Sequence, residues 1–325
     1  MRRLAAVAVG AAVAMTVAAC GSDGSTAASA GSAGTATVKL SYIPYTGTAP
    51  LMLGIKQGIF AQHHIKLQLT KSQAVSAIVA SLVNGEKQIG FAPVINVIQA
   101  RSRGTAVKCL GTDQGVVNPA NDKATLLLVK KGSPITSAKD LAGRKVGVAG
   151  LGGLNHLFVL DRVRAAGGDW TKVQVVQLPL PQASDALNQG RVDAVVGNIP
   201  FTSQMLAGGA VSLASQEADF IPKGIGACYV ATDKWINSHP AEASNFQAAN
   251  TASLKYANDH IKDALATLPS FLSMTPEQAA KQVPGSIYDP TFDMASVQKQ
   301  MDEMVQFKFI PKALPIADVV YKSGS

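Results

Sequence analysis

From residue 37 onward the chain alternates short apolar, β-branched runs with amphipathic segments, and it does so in two comparable series. "TVKLSYI" reads as a strand and "APLMLGIKQGIF" as a helix with Pro50 in its first turn. "IKLQLT" is a second strand. "AVSAIVASLVNG" then places Val75, Ile78, Val79 and Leu82 on one helical face and stops at Gly85. The strands "QIGFAP" and "AVKCLGT" flank the helix "VINVIQARS". The second series runs through "ATLLLVKKGS", "RKVGVAG", "NHLFVLDRVRAAGG", "VQVVQL", "ASDALNQG", "DAVVGN", a helix from Pro200, and "AVSLA". Strands separated by single helices predict mostly parallel sheets covered on both faces. "LVNGEKQIGFAP" and "LNQGRVDAVVGNIP" share a helix ending at Gly, a charged residue, a buried strand and a Pro. Two α/β lobes built alike explain that repetition better than one long sheet. After "ACYVATDKWI", read as one more strand, the chain is mainly helical, and its apolar faces (Leu254, Ala257, Ile261; Val297, Met301, Met304, Val305) must pack on what precedes them.

The amino end has a different character. Arg2 and Arg3 precede an uncharged run from Leu4 to Ala19, a length and composition that fit residues 1–19 as a signal peptide better than a membrane span. Val17-Ala18-Ala19-Cys20 resembles the bacterial lipobox, which implies lipidation of Cys20, export, and anchoring at the cell membrane. Gly21 to Ala36 contains only Gly, Ser, Ala, Thr and one Asp. Such a segment cannot bury enough surface to offset its ordering entropy, so residues 20–36 are expected to be a flexible linker reaching about 20–25 Å.

The composition is core-forming, with 47% hydrophobic and 15% charged residues. Lys and Arg exceed Asp and Glu, 29 against 21, but thinly spread, without the basic stripe and interleaved aromatics of a nucleic-acid binder. Cys109 and Cys228 read either as two buried thiols or as a disulfide, which an exported location permits.

The order of "VKLSYIPYTGTAPLMLGIKQGIFAQHHIKLQL", "AIVASLVNGEKQIGFAP", "SAKDLAGRKVGVAG", "ALNQGRVDAVVGNIPF" and "YVATDKWINSHPAEASNFQAAN" resembles the type II periplasmic binding proteins. More narrowly it is similar to the nitrate/sulfonate/taurine-binding family, whose relatives include binders of pyrimidine precursors. The resemblance implies a two-lobed α/β fold: lobe 1 from residues 37–126 and 229–325, lobe 2 from 127–228. It also implies a two-strand hinge through "TLLLVKK" and "ACYVATD", with the C-terminal helices packed on lobe 1. The strands bearing Cys109 and Cys228 would then be neighbours. Gln88 departs from the family's usual Asp, which the second series keeps as Asp193.

Ligand sites in open α/β sheets form at the carboxyl ends of strands. That names Tyr45, Thr46, Gly47 and Thr48; Ser72 and Gln73; Pro93 to Asn96; Gly152, Gly153, Leu154, Asn155 and His156; and Asn198, Ile199, Pro200 and Phe201. Several of these loops open helices, whose free N–H groups favour an anion. With no Arg or Lys among them, a singly charged sulfonate, nitrate or carboxylate, or a heterocycle, suits them better than a phosphate ester. The implied function is a monomeric, lipid-anchored solute-binding protein serving an ABC permease and ATPase. An enzyme on the same fold acting on a pyrimidine-like molecule, or a ligand-presenting sensor, is the alternative. No cofactor, metal or catalytic group is expected. "GVAGLGG" fails the dinucleotide spacing, the histidines have no partners at metal-ligand spacing, and three scattered cysteines do not supply the Cys-rich signature of the pyrimidine-synthase branch of this fold.

Overall fold

The computed structural model describes residues 34–117, 123–199, 201–221, 225–282 and 286–322. The expected signal peptide, Cys20, most of the linker, and Pro200 lie outside the described residues.

Two five-stranded sheets organise the chain. The first contains β1 (Ala36–Tyr42), β2 (Ile65–Lys71), β3 (Ile89–Pro93), β4 (Val107–Thr112) and β11 (Ala227–Thr232). The second contains β6 (Thr125–Val129), β7 (Lys145–Val148), β8 (Gln174–Gln177), β9 (Ala194–Asn198) and β10 (Val211–Ser215). Their orders are β2-β1-β3-β11-β4 and β10-β6-β9-β7-β8. In the first, β1 pairs in parallel with β2 and β3, while β11 enters antiparallel between β3 and β4. In the second, β7 pairs in parallel with β8 and β9, while β6 enters antiparallel between β9 and β10. The two sheets therefore repeat one plan, each with one reversed strand. All five residues of β6 are buried, as a strand flanked on both sides and covered on both faces requires.

The repetition extends to single side chains. Gln88 Oε1 accepts from the Lys39 amide at 2.9 Å, and Asp193 Oδ2 accepts from the Lys145 amide at 2.8 Å. In both halves the residue before the strand accepts from a backbone amide of the neighbouring strand, so the Gln at 88 performs the work of the Asp at 193.

Helices α1 (Ala49–Lys56), α2 (Ile59–Gln62), α3 (Val75–Val83) and α4 (Val94–Ser102) accompany the first sheet. The single helix expected over "APLMLGIKQGIF" is broken at Gly58, whose φ of 72° is the left-handed conformation that ends a helix. Helices α5 (Leu154–Ala165), α6 (Leu180–Asn188) and α7 (Phe201–Ala207) accompany the second. The strand expected over "ACYVATDKWI" stops at Thr232. There the Thr232 hydroxyl accepts from the Trp235 amide at 3.1 Å and caps α8 (Asp233–Ser238). Two three-residue strands, β5 (Gly115–Val117) and β12 (Ser286–Tyr288), pair with each other outside both sheets. They carry too few residues for a period to show.

Cys109 on β4 and Cys228 on β11 are joined by a disulfide between adjacent strands, with Cα atoms 5.6 Å apart. Helices α9 (Pro240–Asp259), α10 (Ile261–Ala266), α11 (Pro276–Ala280), α12 (Met294–Gln306) and α13 (Ile316–Val319) complete the chain. Packing of this tail on the first sheet alone describes α9, which lies against α1 and β4, but not the stretch from α12 onward. Arg164 of α5 pairs with Glu303 of α12 at 2.6 Å, Trp170 meets the Phe307 ring edge-on, and His156 packs on Phe309 with centroids 4.9 Å apart. Lys299 Nζ donates to the Phe220 carbonyl at 2.7 Å. The tail straps the second half as well as the first, because its aromatic side chains find their apolar partners there. A continuous apolar cluster accordingly includes Leu40 and Phe91 of the first half, Val146 and Phe158 of the second, and Met304 of the tail.

Candidate functional site

In an open sheet, a crevice forms where the chain's connections diverge to either side of a strand. Strand β1 lies between β2 and β3, and β7 lies between β8 and β9. The loops after β1 and β3 therefore face a crevice in one half, and those after β7 and β9 face one in the other. A cavity of about 440 Å³ lies there. From the first half it is lined by Tyr45, Phe91, Pro93, Ile95, Asn96, Gln114, Gly226 and Ala227. From the second it is lined by Gly150, Gly153, Leu154, Asn155, Asn198 and Gln216.

Of the residues expected at the site, Tyr45, Pro93, Ile95, Asn96, Gly153, Leu154, Asn155 and Asn198 line this cavity. Thr46, Gly47 and Thr48 form a 3-10 turn behind Tyr45, and the Thr48 hydroxyl donates to the Ile43 carbonyl at 3.3 Å. Gly47 touches the site indirectly. A Cβ there would collide with the Gln114 amide and the Tyr45 ring, so the missing side chain lets those two wall residues come together. Ser72 and Gln73 are outside the lining. Strand β2 is at the edge of its sheet, so its loop emerges beside the crevice, where the Ser72 hydroxyl donates to the Ala74 carbonyl. His156 turns away to Phe309; its Nδ1 accepts from the Gly152 amide at 3.1 Å, and burial holds its pKa below the ordinary histidine value. Phe201 packs with the cluster of Leu126, Leu128 and Val195 under the second sheet. Gln114 and Gln216 were missed, although each follows the carboxyl end of a strand, β4 and β10.

Among the described residues no acidic or basic side chain lines the wall. Helices α4 and α5 both begin at it, with Pro93 and Gly153 as cap residues, no side-chain cap, and no acid in the first turn. Their first-turn N–H groups and positive dipole ends favour a negative group. Tyr45 and Phe91, with centroids 5.4 Å apart and planes tilted by 55°, supply an aromatic wall. A polar relay fixes the opposite side. Asn155 Nδ2 donates to Asn198 Oδ1 at 3.1 Å, Asn198 Nδ2 donates to Thr125 Oγ1 at 3.0 Å, and the Thr125 amide donates to Glu217 Oε2 at 3.0 Å. Burial pushes the Glu217 carboxyl upward, while the Thr125 side chain and amide pull it down. A direct bond across the halves, Gln99 Nε2 to the Gly152 carbonyl at 2.8 Å, ties α4 to the glycine loop before α5.

A larger cavity of about 620 Å³ is lined by Leu82, Val83, Gln88, Thr105, Lys234 and Trp235 among others. It sits at the amino ends of β3 and β4, on one half only, and is also reached by the carboxyl end of the reversed β11 at Thr232 and by His239 at the start of α9. Among the described residues no cluster of three His, Cys, Asp or Glu is placed to hold a metal, and no helix is long and apolar enough to cross a membrane.

The chain is similar to several known proteins. A protein of Escherichia coli (strain K12) named for binding aliphatic sulfonates is 24% identical over 262 residues, covering 79% of this chain and 80% of its own. The 4-amino-5-hydroxymethyl-2-methylpyrimidine phosphate synthase of Schizosaccharomyces pombe (strain 972 / ATCC 24843) is 23% identical over 246 residues, covering 71% and 67%. In fold, the crystal structure of the periplasmic aliphatic sulphonate binding protein SsuA from Escherichia coli superposes with a TM-score of 0.68 at 22% identity, over 88% of this chain and 97% of that one. The family profile described as NMT1/THI5 like matches residues 45–264, and with two mixed sheets of the periplasmic binding protein kind around its cavity, the chain belongs to that family.

Proposed function

We propose that the protein is an extracytoplasmic solute-binding lipoprotein of an ABC importer. It captures a small solute between lobe 1 (residues 37–126 and 229–325) and lobe 2 (127–228). Cys20 carries the lipid, and the linker behind it keeps the body within reach of a permease and its ATPase. The observation that carries this reading is the cavity itself, walled from both halves and met by two helix amino ends that have no side-chain cap. Each such end favours a nearby anion by about 0.3–1 kcal/mol. The pair suits one sulfonate, nitrate or carboxylate group, with Tyr45 and Phe91 covering an apolar or heterocyclic remainder. A ligand touching both halves binds the closed arrangement better than an open one, which couples capture to closure at the β6 and β11 crossings.

The similarity to pyrimidine phosphate synthases favours a second reading, an enzyme on the same fold acting on a pyrimidine-like molecule. The cavity wall speaks for binding without chemistry, since neither Cys109 nor Cys228 is free to react and, among the described residues, no carboxylate, amine, imidazole or thiol borders the space. A thermal-shift panel of sulfonates, nitrate, carboxylated aromatics and pyrimidines tests both readings. Binding is expected to raise the melting temperature by an amount that grows with ligand concentration, and the compound should be recovered unchanged. Recovery of a converted product would move the protein to the second reading.

A further inference from the structure

Two residues of the cavity wall each carry a buried hydrogen-bonding atom with no partner among the described residues: Gln216 Oε1 from the second half and Tyr45 Oη from the first. Gln216 is the more telling, since only 5% of the residue is exposed. Its position is not slack. The five-residue helical turn Gln216–Phe220 that it opens is pinned on both sides. The Ser215 amide donates to Asp219 Oδ2 at 2.7 Å, and the Ser215 hydroxyl accepts from the Ala218 amide at 3.2 Å. Phe220, at the end of that turn, packs on Phe158, and Lys299 holds its carbonyl. A rigid turn thus holds the Gln216 side chain in the cavity wall with its amide oxygen buried and nothing to bond among the described residues, an arrangement that costs stability and is rare without a function. A second acceptor stands nearby in the wall. Asn155 spends its Nδ2 on Asn198, which leaves Oδ1 as its remaining acceptor.

We infer that Gln216 determines specificity, its Oε1 accepting a hydrogen bond from an N–H or O–H group carried by the solute. This rests on the solute-binding reading and narrows it. The ligand has a donor group for Gln216 in addition to the negative group that the helix amino ends favour, and Tyr45 Oη engages it from the first half. A solute with a negative end alone would leave Gln216 unsatisfied and bind correspondingly less well.

The test uses matched probes: benzenesulfonates and benzoates bearing an amino group at the meta or para position, each beside its dimethylamino counterpart, which lacks the donor. Affinities are measured for the wild type and for Gln216→Met, which keeps the length and removes the acceptor. At least one amino probe is expected to bind the wild type about 10- to 100-fold more tightly than its dimethylamino partner, with that ratio collapsing toward one in the variant. The ligand-free melting temperature of Gln216→Met should equal or exceed that of the wild type, because the unpaired oxygen contributes nothing to the empty protein. A merely structural glutamine would instead lower it by several degrees. Binding with an unchanged ratio in Gln216→Met, or a destabilised empty variant, overturns the role of Gln216 and leaves the solute-binding reading standing. Failure of the wild type to bind any probe or any member of the solute panel overturns both.

Discussion

Replacing Asp113 by Asn should stabilise the protein, and more so as the pH rises. Asp113 follows β4 and is 1% exposed; its own amide and that of Gln114 lie near the carboxylate but outside hydrogen-bonding geometry, and no other described residue bonds it. Tyr229 on β11 lies close enough for the two groups to feel each other's charge. Burial pushes the Asp113 carboxyl up from 3.8 to about 7, although its own amide and that of Gln114 pull it the other way. The folded chain therefore holds this proton more tightly than the unfolded chain does. Below about pH 4 both states are protonated and the residue costs nothing extra. Between about 4 and 7 the unfolded chain releases its proton first, so stability falls as the pH rises. Above 7 the full cost persists. At 1.36 kcal/mol per pKa unit it is on the order of 4 kcal/mol. Asn fills nearly the same volume and stays neutral throughout. Urea denaturation of both proteins from pH 4 to 8 should give nearly equal stabilities at pH 4 and a gap widening to about 3–4 kcal/mol by pH 8. Other titrating groups, Glu217 and Glu303 among them, cancel in the difference. A gap that stays flat with pH, or an Asn variant less stable than wild type at pH 8, would refute the view that Asp113 is buried without a partner.

The disulfide and the glycine behind Tyr45 give two further predictions. The bridge links residues 119 apart in sequence, and the chain-entropy treatment assigns such a loop at most about 4–5 kcal/mol. Reduction should lower the melting temperature by roughly 5–15 °C in scanning calorimetry. An unchanged transition with both thiols titratable would contradict this. Gly47→Ala should cost at least about tenfold in solute affinity while shifting the melting temperature little, because its new methyl displaces the Gln114 and Tyr45 side-chain ends, not backbone. Titration calorimetry beside a thermal melt separates the two effects, and a large loss of stability with affinity retained would be the contrary result.

Much of the first half was legible because local signals and the tertiary plan agree there. The helix over Val94–Ser102 coincides with its apolar period, and Gly85, at a φ of 76°, ends the preceding helical segment as its position suggests. The loops after β1, β3, β7 and β9 were legible as site loops because strand carboxyl ends face the crevice wherever connections diverge. That rule also reached Ser72 and Gln73, which stand outside the cavity lining, because edge position is a property of strand order and leaves no mark in "IKLQLT". The same rule, applied to every strand, would have found Gln114 and Gln216 after β4 and β10. His156 shows a different limit. It belongs to the right loop, but its ring is claimed by Phe309, more than a hundred residues later, and only the folded tail reveals that partner. Thr232 likewise reads as a strand residue until its hydroxyl is seen capping α8.

The central claim is that a small solute is held in the gap between the two halves and released unaltered. Titration calorimetry of the full mature chain against sulfonates, nitrate, carboxylated aromatics and pyrimidines, followed by chemical analysis of the recovered compound, tests it most directly. One equivalent bound, with every molecule returned intact, is the predicted result. No heat from any of the four classes, or return of a transformed compound, would contradict it.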